Sequence, residues 1–293
     1  MLKKLTTLTL VFCVLAVADF SYAGKVKVIT SIAPLADFAR QVGQERAEVI
    51  LLLPPGASPH VYEPTPKTLR YAAEARIFIK IGAGLEFWAE KIIKSVENKK
   101  IIIVDSSSGV QLIGSYDTAH RHGSSGNDPH IWLDPQIAMD IIRKIEEAFI
   151  RADPTGAEYY RKNAAIYREA LSRLDREISA RVGAFRTKEY VTFHPAWNYF
   201  SRRYGLRVAG VIEEAPGKEP GPKHIAHIIK EIRRIGSKVV FVEPQFNPKI
   251  AKVIAKDSGA KTLYLDPIGG QLGRETYIDM MRYNIAVMES VMK

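Results

Sequence analysis

Eight short runs of Val, Ile, Leu and Phe, set four and four around one long helical stripe, constrain this chain more than any other feature. The first four lie at 26–31, 48–53, 77–81 and 101–104, and the second four at 190–193, 207–212, 238–243 and 262–265. Most are apolar without alternation, as parallel strands covered on both faces require. The segments between them carry helical patterns, for example 35–42, 65–75, 135–151 and 222–235. That is α/β layering performed twice. Between the two sets, Tyr160, Ala164, Tyr167, Leu171, Leu174, Ile178 and Val182 recur at steps of three and four, a helical stripe. Asp153 as cap and Pro154 in the first turn suit its start, and Gly183 suits its stop. About thirty residues at 1.5 Å each reach roughly 45 Å, long enough to brace two bodies rigidly. The expected fold is α/β: two Rossmann-like domains with four-stranded, mostly parallel sheets joined by one long rigid helix. The expected boundaries are 24–152 for the N-terminal domain, 153–183 for the linking helix and 184–293 for the C-terminal domain.

Residues 1–23 read as a signal peptide rather than as part of the fold. Lys3 and Lys4 form a positive start, residues 8–18 are an apolar run too short to span a membrane, and Ser21-Tyr22-Ala23 places small residues for cleavage. The only cysteine, Cys13, lies inside that run behind the bulky Phe12, which argues against a lipid anchor. A chain cut after Ala23 has no thiol, so disulfide scaffolds, thiolate zinc sites and cysteine catalysis are excluded. Export without an anchor implies a periplasmic protein. The net charge of +10, or +9 once Lys3, Lys4 and Asp19 are removed, is spread along the chain with no nucleic-acid motif. It reads as a solvated basic surface, with no nucleic-acid partner and a monomeric protein expected.

Four residues stand where chemistry is expected. His60 follows the second apolar run, His130 lies in the loop after the fourth, His194 directly follows the fifth and Asp266 the eighth, each next to a proline that stiffens its loop. Loops at the carboxyl ends of strands in open α/β sheets meet in one crevice. Two ligands from each half would therefore hold an ion between the domains. Three imidazoles and one carboxylate suit zinc, whereas manganese favours more oxygen. Four protein ligands leave no open position for an activated water, which points to binding and not to an enzyme. Affinity should then fall as pH drops below about 6.5, because the ligating imidazoles must be neutral.

The runs Pro59-His60-Val61-Tyr62-Glu63-Pro64-Thr65-Pro66, Asp128-Pro129-His130-Ile131-Trp132-Leu133-Asp134-Pro135 and Leu265-Asp266-Pro267-Ile268-Gly269, with Gly217-Lys218-Glu219-Pro220, resemble the metal-binding solute-binding proteins of ABC importers, zinc/manganese class. The resemblance spans nearly the whole chain after residue 23. It implies two domains joined by a rigid helix, one transition-metal ion as cargo, and delivery to an ABC permease in the inner membrane. His194 resembles the zinc-type version, since manganese-binding relatives often carry glutamate there. Zinc-uptake members often have a long His- and acid-rich loop before Asp-Pro-His, whereas 106–128 offers only His120 and His122. Manganese or iron as the ion, a secreted zinc hydrolase and an adhesion protein using the basic surface remain the alternatives.

Other signals point elsewhere. Gly82-Ala83-Gly84-Leu85-Glu86-Phe87 follows a strand like a dinucleotide loop but has Phe87 in place of the third glycine. His224 and His227, three apart on a helical pattern, read as surface residues. Glu243, ending the seventh run, is either an alternative ligand, an acceptor behind a ligand or a turn cap. Trp132 and Trp197 read as crevice walls, and Ser106–Ser108 lack a nucleophile's glycine context.

Overall fold

The computed structural model describes residues 24–114, 126–215 and 217–293. The expected signal peptide with Cys13, and the loop residues His120 and His122, lie outside the described residues. The first half holds β1 (Val26–Thr30), α1 (Ala33–Gly43), β2 (Ala47–Leu51), α2 (Pro66–Glu74), β3 (Ile77–Lys80), α3 (Ala89–Ser95) and β4 (Ile102–Asp105), followed by α4 (Pro135–Ala152). After α5 (Ala157–Gly183) come β5 (Glu189–Thr192), α6 (Asn198–Tyr204), β6 (Arg207–Val211), α7 (Pro222–Arg234), β7 (Val239–Val242), α8 (Lys249–Ser258), β8 (Lys261–Tyr264) and α9 (Tyr277–Met292).

The strands form two parallel four-stranded sheets with the same order, β2-β1-β3-β4 and β6-β5-β7-β8. Strand order reverses next to β1 in one sheet and next to β5 in the other, which opens a crevice at their carboxyl ends. One face of each sheet packs into a single apolar core. That core runs from Val28 and Ile79 through Ile141, Leu171 and Ile178 to Tyr190, Phe241 and Met281. The other faces are covered separately: α2 and α3 close over Ile29 and Phe78, and α7 and α8 over Val191 and Val240. The two sheets are thus held by shared burial as well as by α5.

α5 buries Tyr160, Ala164, Tyr167, Leu171, Leu174, Ile178 and Val182, the predicted stripe. Its start differs from expectation. Pro154–Gly156 make a tight 3-10 turn, and Asp153 caps no amide of α5. Asp153 instead accepts from Arg46 Nη2 at 2.6 Å, Thr155 Oγ1 at 2.6 Å and Tyr160 Oη at 2.7 Å. A carboxylate offered a guanidinium and two hydroxyls gains more from charge-assisted bonds than from one amide. Burial pushes its pKa up, but these donors outweigh burial and bring it down to about 2. Its stabilising contribution is therefore present above the ordinary carboxyl range and is lost as pH falls toward 2. Asp153→Ala is expected to cost about 1–2 kcal/mol at neutral pH by denaturant unfolding. An unchanged midpoint would show that the cluster is ornamental.

The turn after β3, which carries the glycine pair, is closed by the chain itself. Gly82, Ala83 and Gly84 all have positive φ, and the Glu86 carboxylate accepts from the Ile81 and Gly82 amides at 2.8 and 3.0 Å and from Ser31 Oγ at 2.5 Å. The amides that would face a phosphate are taken by the chain's own carboxyl group, whose pKa burial pushes up.

Candidate metal site

His60 lies on the loop after β2, held from behind by Trp88, whose indole N–H donates to the Pro59 carbonyl at 3.0 Å. Thr65 and Thr68 exchange a capping box that starts α2 just beyond it. His130 precedes a 3-10 turn, Ile131–Leu133, and Asp134 then caps α4 by accepting from the Gln136 amide. His194 stands two residues past the end of β5, at the point where the order of the second sheet reverses, and Thr192 Oγ1 donates to its carbonyl at 3.0 Å.

These three loops bring three imidazoles together. His60 Nε2 stands 3.3 Å and His194 Nε2 3.2 Å from His130 Nε2, and each residue's ligand atom lies within 4.8 Å of the other two. Nitrogens bound tetrahedrally to one zinc ion at 2.0–2.1 Å stand about 3.3 Å apart, a separation that the two short spacings match. His60 and His130 come from the loops after β2 and β4, the two edge strands of the first sheet, and His194 comes from the second half, so the trio needs both halves.

Buried carboxylates stand behind two of the rings. Asp128 Oδ1 accepts from the His130 backbone amide at 2.9 Å and faces its Nδ1 at 2.8 Å. Glu243 Oε2 lies 2.7 Å from His194 Nδ1, a close contact whose angles fall short of a hydrogen bond. A carboxylate at Nδ1 draws the ring proton there and leaves the Nε2 lone pair facing inward. Asp128 was quoted in the sequence only as part of a motif. Its place two residues before His130 is the signal that marks it, because an Asp there reaches back to the ring. Of the three roles open for Glu243 in the sequence, its place behind the His194 ring, outside the cluster of imidazole nitrogens, is that of a residue behind a candidate ligand.

Among the described residues His60 has no carboxylate against its ring. Burial, and after it the neighbouring His130 and His194, push its pKa down to about 2, so its ring stays neutral. Phe246 and Trp132 pack on His194 and His130, and a small cavity of about 10 Å³ spans the three rings. Trp132 donates to the Pro267 carbonyl at 2.6 Å, and Tyr277 Oη donates to the Trp132 carbonyl at 2.7 Å, so the wall is tied across the halves. Trp197 is fully buried behind the site, its N–H 3.4 Å from Glu243.

Asp266 is not within the 4.8 Å circle of the imidazoles. It is fully buried, and Oδ1 accepts from the Ile268 and Gly269 amides at 3.1 and 2.9 Å and from Gln245 at 3.3 Å. Oδ2 has no hydrogen bond and lies 3.1 Å from Arg274 Nε. Gln245 also lines the imidazole cavity and so bridges Asp266 to it. Of the pair on α7, His224 is half-buried and Nε2 lies 2.8 Å from the Val211 carbonyl, which spends it on the backbone.

Fold and site together define a class: a two-sheet α/β protein with an imidazole cluster where strand ends from both sheets meet. The family described as zinc-uptake complex component A, periplasmic, matches residues 28–291, and the chain belongs to that family. The zinc-binding protein AdcA of Streptococcus pyogenes is 29% identical over 286 residues, which cover 90% of this chain and 56% of that protein. The chain thus spans about half the length of the first curated relatives it matches. The high-affinity zinc uptake system protein ZnuA of Bacillus subtilis is 29% identical over 281 residues, 92% of this chain and 88% of that one. A crystal structure of ZnuA superposes with a TM-score of 0.82 at 28% identity, covering 92% of this chain and all of that one. A laminin-binding protein of Streptococcus agalactiae, described as having adhesin and metal-transporting activity, gives 0.80 at 27% identity with coverage of 92% and 100%. Among the described residues no helix is long and apolar enough to cross a membrane.

Proposed function

We propose that this protein binds one zinc ion outside the cytoplasm and hands it to the permease of an ABC importer. The observation that carries the proposal is the pair of Nε2 spacings, 3.2 and 3.3 Å, between inward-facing imidazoles. His60, His130 and His194 are the ligands. Asp266 is the fourth, through Oδ2, the carboxylate oxygen left without a hydrogen bond. The buried carboxylates Asp128, Glu243 and Asp266 around the imidazoles supply the negative charge that a dication needs. The zinc names of AdcA and ZnuA support the ion, and three nitrogen donors favour zinc over manganese or iron. Export through a cleaved segment 1–23 to the periplasm, and action as a monomer, belong to the same proposal. Hydrolysis has less support, because Asp128 and Glu243, the acids nearest the rings, are both engaged at Nδ1 positions.

Elemental mass spectrometry after stripping and reloading with zinc and manganese in competition tests the ion. About one zinc per chain is expected. A manganese preference would overturn the ion and keep the family role, and no stoichiometric metal would sink the site. The adhesin neighbour favours a second reading, attachment through the surface. It predicts laminin binding that survives chelation.

A further inference from the structure

We propose that Asn198 is a positioning residue for the metal, acting from the second half on His130 in the first through Asp128. The inference rests on the zinc-binding reading above. Asp128 is buried at 3% exposure, and its Oδ1 is consumed by the backbone amide and Nδ1 of His130. Oδ2 is the oxygen that remains, and Asn198 Nδ2 donates to it at 3.0 Å. The next residue repeats the reach: Tyr199 Oη donates to the Asp128 carbonyl at 3.1 Å and accepts from the Ile113 amide at 3.0 Å. Both the side chain and the main chain of Asp128 are thus fixed by the first turn of α6.

The donor's chemistry matters as much as its reach. A carboxylate free at one oxygen turns about its Cβ–Cγ bond, and its hold on the imidazole proton weakens as it turns. An amide N–H stops that rotation and brings no charge. A lysine or arginine in its place would neutralise Asp128 and reduce its pull on Nδ1, so a neutral donor is the residue that orients without weakening. Asn198 stands four residues after His194 on the same β5–α6 segment. One short stretch therefore places one imidazole directly and orients a second, which makes the ligand set complete only when the two halves are docked.

The test is a cycle of zinc affinities measured on the full chain by chelator competition. Asn198→Ala is expected to weaken zinc about tenfold to a hundredfold, the usual cost of losing a partner behind a ligand. In an Asp128→Ala background the same change is expected to cost less than about threefold, because the residue it acts through is gone. Asn198→Ser, which keeps a shorter donor, is expected to recover part of the loss and to serve in the same cycle if the alanine variant does not fold. Cobalt-loaded Asn198→Ala should show a shifted ligand-field spectrum, which a loss of general stability would not produce. Wild-type affinity in Asn198→Ala, or an equal loss in both backgrounds, would overturn the inference and leave the zinc reading intact. Absence of zinc binding by the unmutated chain would overturn both.

Discussion

His130→Ala is expected to weaken zinc binding by at least about a hundredfold and to abolish stoichiometric metal after dialysis. His130 is the middle imidazole, 3.3 Å from His60 and 3.2 Å from His194 at Nε2. Removing it takes one nitrogen from a tetrahedral site and leaves Asp128 buried without the ring that it holds. Losing a partner behind a ligand costs up to about a hundredfold, and losing the ligand itself costs more. The comparison with Asp266→Ala is informative. Asp266 is already engaged by two amides, Gln245 and Arg274, so its loss should weaken zinc less than the loss of His130. Titration of both variants against a zinc chelator gives the order. A His130→Ala protein that retains tight stoichiometric zinc would remove the three-histidine site.

The second large effect is acid sensitivity of the metal-free protein. The pKa of His60 is pushed down to about 2 by burial and then by the other two rings. In the unfolded chain the same ring protonates near 6.5. Between those values the unfolded state binds the extra proton, so stability rises with pH there and is lost as pH falls below about 6.5. The slope from this one group approaches about 1.4 kcal/mol per pH unit. Melting of stripped protein at pH 7.5, 6.0 and 5.0 should show a steady fall that His60→Ala flattens. A variant that falls as steeply as the unmutated protein would show that His60 is not the group responsible. The same depressed pKa bears on zinc. Because His60 is neutral before the ion arrives, its ring has no proton to lose when zinc binds.

Periodicity is a local property, and what depends on it was legible. Short apolar runs mark the eight strands, most of them without alternation where a parallel strand is covered on both faces, while the edge strands β2, β4 and β8 are only partly covered. The stripe from Tyr160 to Val182 marks α5 because one face is buried along its length. Proline-flanked histidines after β2, β4 and β5 point to the same crevice because strand ends in such sheets face one way. The short-range reading failed where a side chain had a choice of partners. Asp153 lay where a cap belongs, yet three donors far and near outbid the helix amide. At the Gly82 turn the residue pattern argues against a dinucleotide loop, and only the structure shows that Glu86 fills its amides.

The sequence by itself determined the class of fold, the long helix and the loops that carry imidazoles. Each of these follows from residue spacing within a few turns or strand lengths. Only the tertiary structure decided which atoms meet. His60 and His130 are 70 residues apart, His130 and His194 are 64 apart, and Trp132 and Pro267 are 135 apart. Whether Asp266 faces a metal or Arg274, and whether Asp128 is held by Asn198, depends on how the two sheets dock over their common core. Docking is set by the summed burial of that core, and no single segment of the chain encodes it.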